Sequence, residues 1–446
     1  MDELNLLREQ TKTLLRSGTP TELQYEEALP LCRKLWEAFP ETSNFWDVHQ
    51  YAYCLKRIGQ IDEAEKVCDT VYAQFKDCKE LSEWQRPFTY IKNLYAWIIN
   101  DKYIKTIRQQ DYPYGNTLVT KLILLCDLIE NNENGSPSIA FCILTGLSQL
   151  TKVSSDIDYS KVIYLLEKLD VTKLYSVANQ YTDRQGKLRE TPSQKEQFYK
   201  LKSDALLRMR NYEACIICCN EAMESLEQFH YENDVWFERK IATALAQIGN
   251  VNDAVEKLKK LIPVTDKWFI LSEIGKFYLR LNQLDDALEY MLRALCTKDP
   301  EKMKVNLVEE TGDLLQQIGE QDFAQENFIF AREIRKENNW FVKDELTNKI
   351  LTDQKITFIE IRKKWINRLY RLVGEKQGKI SKIFPNKGGF VQSDISYYFQ
   401  FKNFFGKISR ARVGDAVAFI TTKSYDKKKQ IETEEAVVIT PLKCRT

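Results

Sequence analysis

Six small or apolar positions recur at one spacing in four places along the chain, and that repetition limits the fold more than any other feature. The segments are Ala52, Leu55, Gly59, Ala64, Cys68, Val71; then Ala242, Leu245, Gly249, Ala254, Leu258, Leu261; then Gly275, Tyr278, Asn282, Ala287, Met291, Ala294; and Gly312, Leu315, Gly319, Ala324, Phe328, Ala331. The offsets are 0, 3, 7, 12, 16 and 19 each time. The first three steps follow one helix face and the last three a second. Between them lies a short turn, a Gly or Asn and then a polar pair such as Asp62-Glu63, Asn252-Asp253 or Asp285-Asp286. Acids there suit the exposed amides and positive dipole end of the second helix. Small residues facing each other, Gly275 and Ala287 for example, let two antiparallel helices approach closely, so each unit is predicted to be a helical hairpin. One hairpin cannot bury its own apolar face, so neighbours must stack into a solenoid.

On these residues the chain resembles the tetratricopeptide repeat family. Trp268 to Ala294 and Gly312 to Ala331 carry the pattern, with weaker copies from Tyr25-Glu26-Glu27-Ala28 through Pro40 and at Asn211-Tyr212-Glu213-Ala214. Ser82 to Lys195 reads as helices that do not fit the spacing, interrupted by expected loops at Asn131 to Pro137 and Thr182 to Pro192. The resemblance implies a groove that binds a protein or peptide. The small and apolar positions themselves read as packing.

The formal net charge of +1 hides an asymmetry. Lys355 to Thr446 holds 20 Lys and Arg against 8 Asp and Glu, a net of +12, which leaves −11 on the remainder. A basic end joined to an acidic body points to an anionic partner for that end. Lys355 to Leu372 reads as a last helix, with Ile356, Ile359, Trp365 and Leu369 among its apolar residues, capping the solenoid. From Gly378 onward, short alternating runs replace helical periodicity: Ile380, Ile383-Phe384, Phe390-Val391, Tyr397 to Phe401, Val417 to Phe419 and Ala436 to Ile439. Turn signals at Pro385-Asn386, Gly388-Gly389, Gly414-Asp415 and Asp426 separate them. So many short strands in so few residues predict a small closed barrel. The expected organisation is a helical solenoid over 1–354, a capping helix over 355–375 and a barrel over 376–446. The expected fold class is mainly α, a TPR-like solenoid followed by a five-stranded β-barrel.

The order Gly378-Lys379-Ile380, Phe384-Pro385-Asn386-Lys387-Gly388-Gly389-Phe390-Val391, Tyr397-Tyr398-Phe399-Gln400-Phe401, Val413 to Phe419 and Ala436-Val437-Val438 is similar to the cold-shock domain. That family is an OB-type barrel that binds single-stranded nucleic acid. The resemblance implies stacking or base-edge contacts from Phe384, Phe390, Tyr398, Gln400 and Phe401, with Lys387 as the basic residue before the glycines and Lys382 at a site usually aromatic. Two departures stand out: no aromatic separates Gly388 from Gly389, and Gln400 stands where histidine is usual. Alternation turns Phe399 and Phe419 into the core. The Lys427-Lys428-Lys429 run reads as a solvated hairpin tip.

Signals for chemistry are few. There are two histidines, His49 and His230, and Cys215-x-x-Cys218-Cys219 sits in a helical pattern with no second ligand pair at metal spacing. Eleven cysteines in apolar helical patterns read as reduced thiols. The acidic start Met1-Asp2-Glu3 lacks a signal-peptide pattern, so a cytoplasmic protein without metal or cofactor is expected. These features describe a non-enzymatic adaptor that docks a protein through the solenoid and touches single-stranded RNA or DNA through the barrel. By analogy, such fusions suggest a prokaryotic accessory factor in RNA metabolism or defence. The rivals are a pure protein-interaction scaffold and, more remotely, an enzyme whose site hides in Ser82 to Lys195.

Overall fold

The computed structural model describes residues 2–16, 19–77, 85–107, 114–130, 137–153, 157–183, 185–265, 267–352, 355–385, 387–407, 411–426 and 430–442. Asn386, the Lys427-Lys428-Lys429 run and most of the expected Asn131 to Pro137 loop lie outside them. The chain divides into two compact units, Met1–Asn233 and Asp234–Thr446.

The first unit is built of α1 (Asp2–Leu14), α2 (Glu22–Glu37), α3 (Phe39–Thr42), α4 (Phe45–Arg57), α5 (Ile61–Phe75), α6 (Gln85–Ile99), α7 (Tyr114–Glu130), α8 (Pro137–Val153), α9 (Tyr159–Glu167), α10 (Gln194–Arg208) and α11 (Tyr212–Ser225). Thr182 to Pro192 is not the expected loop. Strands β1 (Asn179–Thr182) and β2 (Leu188–Thr191) pair there as a small antiparallel hairpin. Its turn is tied by the Asp183 carboxylate, which accepts from the backbone N–H groups of Gln185 and Lys187 at 2.9 Å. The two strands carry almost no buried apolar face, so no alternation announces them.

The helical hairpins end as the spacing requires. Gly59, Gly249, Asn282 and Gly319, the third position of each copy, adopt positive φ of 80, 98, 58 and 88°. The next residue's N–H closes the helix end by donating back five residues: Gln60 to Leu55, Asn250 to Leu245, Gln283 to Tyr278 and Glu320 to Leu315, all at 2.9–3.0 Å. That left-handed cap is why the position is Gly or Asn. Arg210 takes it with φ 60°, and Asn211 donates to Leu206 at 3.0 Å. A fifth copy in the same register therefore runs through Ser203, Leu206, Arg210, Cys215, Cys219 and Ala222, and all of these except Arg210 are buried. Cys215 donates to the Ser203 carbonyl at 3.5 Å and Cys218 to that of Tyr199 at 3.9 Å, so this cysteine triplet packs α11 on α10.

A buried lysine marks the first unit. Lys92, on α6, is 2% exposed, and burial lowers its pKa to about 8. The unfolded chain then binds more protons between about pH 8 and 10.5, so stability rises with pH across that window. Lys92→Met should stabilise the unit at pH 7 by about 1–2 kcal/mol, after allowance for partial solvation, and flatten that rise. Thermal melts of both proteins at pH 7 and pH 10 check this; equal slopes with pH would refute it.

In the second unit, α12 (Asn233–Gln247) and α13 (Val251–Lys259) are followed by the hairpins α14 (Trp268–Arg280)/α15 (Leu284–Leu295) and α16 (Val305–Gln317)/α17 (Gln321–Glu337). Close approach inside the hairpins is real. A Cβ on Gly275 would lie 2.9 Å from Met291 Cγ and 3.1 Å from the Ala287 carbonyl oxygen, and one on Gly312 would lie 2.6 Å from the Phe328 ring. After the short α18 (Asp344–Lys349), α19 (Phe358–Val373) begins at a capping box formed by Thr357 and Glu360, a few residues later than Lys355. Its Ile361, Trp365, Ile366, Leu369 and Tyr370 are buried, whereas Ile359 faces solvent.

Strands β3 (Lys376–Phe384), β4 (Gly388–Gln392), β5 (Ser396–Gln400), β6 (Ala416–Asp426) and β7 (Ile431–Pro441) close into a barrel in the order β3-β4-β5-β7-β6. All pairs are antiparallel except β5 with β7. Phe399 and Phe419 are fully buried inside it with Ile380, Val391, Tyr397 and Ile439, as alternation implied. Phe401 leaves the strand pattern for a 3-10 turn, Phe401–Asn403. The barrel seats on the helices through β6 and β7. Ala418, Ile420 and Val438 join the helical core, and the Tyr370 hydroxyl sits among the Ala418 carbonyl at 3.0 Å, the Val438 carbonyl and the Thr440 hydroxyl at 3.1 Å.

Candidate functional site

The seven residues singled out on the barrel do not all come together. Cross-strand register places Lys382 opposite Phe390 and Phe390 opposite Tyr398, one continuous row over β3, β4 and β5. The neighbouring row is Phe384, Gly388 and Gln400. Residues paired directly across antiparallel strands share a face, so Lys382, Phe384, Phe390, Tyr398 and Gln400 occupy one surface, the outer one. All three aromatic rings are partly exposed while their neighbours in sequence, Val391, Tyr397 and Phe399, are buried. Phe384 meets Phe390 edge to face at 5.8 Å between centroids, and Phe390 meets Tyr398 at 5.6 Å. The Lys382 ammonium lies 5.0 Å from the Phe384 centroid. Lys387 is exposed in the turn between β3 and β4.

Phe401 stands apart. It packs against the barrel core, with its ring 6.2 Å from that of Phe399, and its N–H donates to the Lys387 carbonyl at 3.1 Å. It braces the β3–β4 turn.

Lys382 reaches the outer face because β3 is irregular. Ile380 is buried, and strict alternation would send Lys382, two residues on, into the core as well. The register shifts between these two residues, and Ser381 fills the bulge, its hydroxyl donating to the Phe390 carbonyl at 3.2 Å. Bulges re-aim side chains in this way. The glycines beneath the rings are equally required. A Cβ on Gly389 would fall 2.1 Å from the Lys382 carbonyl oxygen and 2.8 Å from the Phe399 ring, and one on Gly388 would fall 1.9 Å from the Phe399 carbonyl oxygen. Nothing larger than glycine fits at either position.

The electrostatics are mixed. Tyr398 pairs with Glu435 of β7, and the Gln400 amide donates to the Glu435 carboxylate at 3.4 Å. Burial raises the Tyr398 phenol above its ordinary value, Glu435 adds to the rise and Lys402 opposes it.

In the first unit, ionisable groups from the irregular region converge on one carboxylate. Glu65, nearly buried on α5, accepts from Lys102 at 2.6 Å, Lys121 at 2.5 Å and Tyr103 at 2.9 Å. Burial pushes its pKa up, but these three partners hold it net below the usual carboxylate range. Lys102 and Tyr103 lie in a π-helical turn, Asn100–Ile104, and Lys121 lies on α7, so the cluster pins helices together with every carboxylate oxygen occupied. Among the described residues no group of three or more His, Cys, Asp or Glu could hold a metal ion, and no helix is long and apolar enough to cross a membrane. The nine described cysteines are buried and form no disulfide.

No protein-family model and no curated protein matches the chain. Among the solved structures it is similar to are two at 11% identity and a TM-score of 0.30 each. One is a tetratricopeptide repeat protein from Parabacteroides merdae ATCC 43184, with 69% of this chain and 98% of that one covered. The other is the TPR2AB domain of yeast Sti1 in its pHSP90 complex, with 78% and 98% covered.

Proposed function

We propose that the protein is a non-enzymatic adaptor whose barrel binds single-stranded nucleic acid on the outer face of β3, β4 and β5, while its helical hairpins dock a protein or peptide. The observation that carries the reading is the chain of three partly exposed rings over two adjacent rows, Phe384, Phe390 and Tyr398, successive rings 5.6–5.8 Å apart and flanked by Lys382 and Lys387. Aromatic faces accept any base, and adjacent lysines supply salt-dependent attraction for the phosphates. The strand order, with the one parallel pair β5–β7, agrees with an OB-type barrel, in which the second and third strands form the ligand face. Stacked hairpins present the extended surfaces that partner proteins use.

Fluorescence anisotropy of the full chain with labelled single-stranded RNA and DNA, across a salt series, tests this. Tyr398→Ala and Phe390→Ala should each weaken binding about tenfold, since a stacked base is worth ~1–3 kcal/mol, and thermal melts should show both variants folded. One observation favours a second reading, a barrel that docks protein only: Glu435 sits against Tyr398 and Gln400, where it repels phosphate. No binding by the wild-type chain at low salt would leave that reading standing and remove the first.

A further inference from the structure

Three copies of the helical hairpin carry an aromatic residue six positions before their first small residue: Trp46 on α4, Trp236 on α12 and Phe269 on α14. In the second unit the rings of Trp236 and Phe269 stack at 5.0 Å, and the Arg239 guanidinium covers both at 5.3 Å while pairing with Glu273 at 2.6 Å. Lys276 pairs with Glu310 at 2.8 Å on the next helices. That surface is closed over by its own charges. In the first unit His49 stands at the repeat position of Arg239. Burial lowers its pKa, so at neutral pH the imidazole brings no charge. Trp46 still has a ring partner, Tyr90 of α6 at 5.1 Å, but among the described residues no cation lies over the pair. The two side chains are 46% and 42% exposed, and among the described residues neither the Trp46 indole N–H nor the Tyr90 hydroxyl has a hydrogen-bond partner.

The rings continue along one face of α4. His49 lies 6.2 Å from Trp46, Tyr53 stacks on His49 at 6.0 Å, and Tyr25 of α2 meets Tyr53 at 5.9 Å. Exposed Arg57 ends the run, its guanidinium 5.3 Å from the Tyr25 centroid, with no carboxylate partner among the described residues. Glu80, Glu83 and the Arg86 side chain, in and just ahead of the start of α6, lie outside the described residues, so the charge requirement comes from Arg57 alone.

An occupant of this strip has to lay apolar faces on the rings, offer carbonyls to Trp46 and Tyr90, and bring negative charge to Arg57. A helix offers no carbonyls along its length, because they are bonded internally. A polyproline II segment offers both pyrrolidine faces and carbonyls free of internal hydrogen bonds. The span fixes its register. Trp46 and Arg57 are eleven residues apart on α4, about 16 Å at ~1.5 Å per residue, which a polyproline II chain covers in about five residues at ~3.1 Å each. We propose that α4 and Tyr90 dock a proline-rich segment of a partner protein, with an Asp or Glu about five residues from the proline that sits on Trp46. This inference rests on the reading that the helical hairpins dock a protein or peptide, and it names the face and the chemistry of the partner.

The test measures fluorescence anisotropy of the full chain with labelled oligoproline peptides about ten residues long. One is neutral, and the others carry Asp or Lys at one end or the other. A second set of proline-free peptides of matched length and charge is the control. Wild type should bind the oligoprolines, and an acidic one about two- to fivefold more tightly than the neutral one, the worth of an exposed ion pair. Trp46→Ala and Tyr90→Ala replace exposed side chains and should each lose at least about tenfold, with thermal melts unchanged. Arg57→Ala should bind the neutral oligoproline like wild type and lose the preference for acid. His49→Arg should shut the face by covering the rings as Arg239 does. Oligoprolines that bind no better than the proline-free set, or that bind Trp46→Ala and Tyr90→Ala as tightly as wild type, would overturn the inference. Binding of the proline-free peptides would then leave the wider docking reading standing. A chain that binds no peptide of either set would overturn both, and loss of oligonucleotide binding by Trp46→Ala in that case would assign the rings to nucleic acid instead.

Discussion

Trp365→Ala should destabilise the second unit by about 3–5 kcal/mol, the cost of an aromatic-to-alanine cavity in a closed core. Trp365 is 1% exposed on α19, edge-on to Phe330 at 5.8 Å, and its indole N–H donates to the Asn327 amide oxygen at 2.9 Å. Asn327 is itself fully buried, so the substitution also orphans an acceptor, at a cost of about 1–3 kcal/mol unless water enters the cavity. Trp365→Phe keeps most of the volume and isolates the hydrogen bond, so it should cost distinctly less. Urea unfolding of the full chain followed by circular dichroism reads both. The same helix carries Tyr370, the hydroxyl that meets the barrel, so loss of α19 should release the barrel in the same transition. Two separate transitions, with the barrel unaffected, would contradict the shared core.

Gly389→Val should open the barrel. Its Cβ would have to occupy space 2.1 Å from the Lys382 carbonyl oxygen and 2.8 Å from the Phe399 ring, and neither backbone nor buried ring can withdraw without parting β3, β4 and β5. Overpacking a fitted core costs typically ~1–3 kcal/mol, and backbone against backbone belongs at or above the upper end. The expected result is loss of barrel structure, read as exchange of β4 and β5 amides with solvent deuterium, and with it loss of the nucleic-acid binding proposed for this face. Tyr398→Ala provides the contrast, with binding weakened and the amides still protected. A folded Gly389→Val that binds normally would refute the close packing beneath the ring row.

The hairpins were legible because their constraint is local and repeated. A left-handed residue, a small residue opposite a small residue, and acids at the second helix start recur at fixed offsets. The copy through Ser203 and Arg210 showed only as a weak one at Asn211-Tyr212-Glu213-Ala214, because Arg210 stands where the others have Gly or Asn, although the backbone does the same thing there. In the barrel, alternation correctly put Phe399 and Phe419 inside. It could not anticipate the bulge at Ser381, which has no composition signal and decides that Lys382 faces out. Nor could it place Phe401, whose 3-10 turn breaks the strand period. The run Val417-Ala418-Phe419-Ile420 is apolar without alternation for a tertiary reason: one side fills the barrel and the other meets α19. The ring pair of Trp46 and Tyr90 joins residues far apart in the chain, and no pattern within either segment pointed to the other.

The barrel is held by β6 and β7, while its ring row lies on β3, β4 and β5. Attachment and the proposed recognition face therefore occupy different staves of one cylinder, and selection can rewrite one without disturbing the other. Substitutions at Phe384, Phe390 or Tyr398 could retune what the face prefers while Ala418, Ile420 and Val438 keep the barrel seated. A chain arranged in this way is open to diversification of that exposed face at constant architecture.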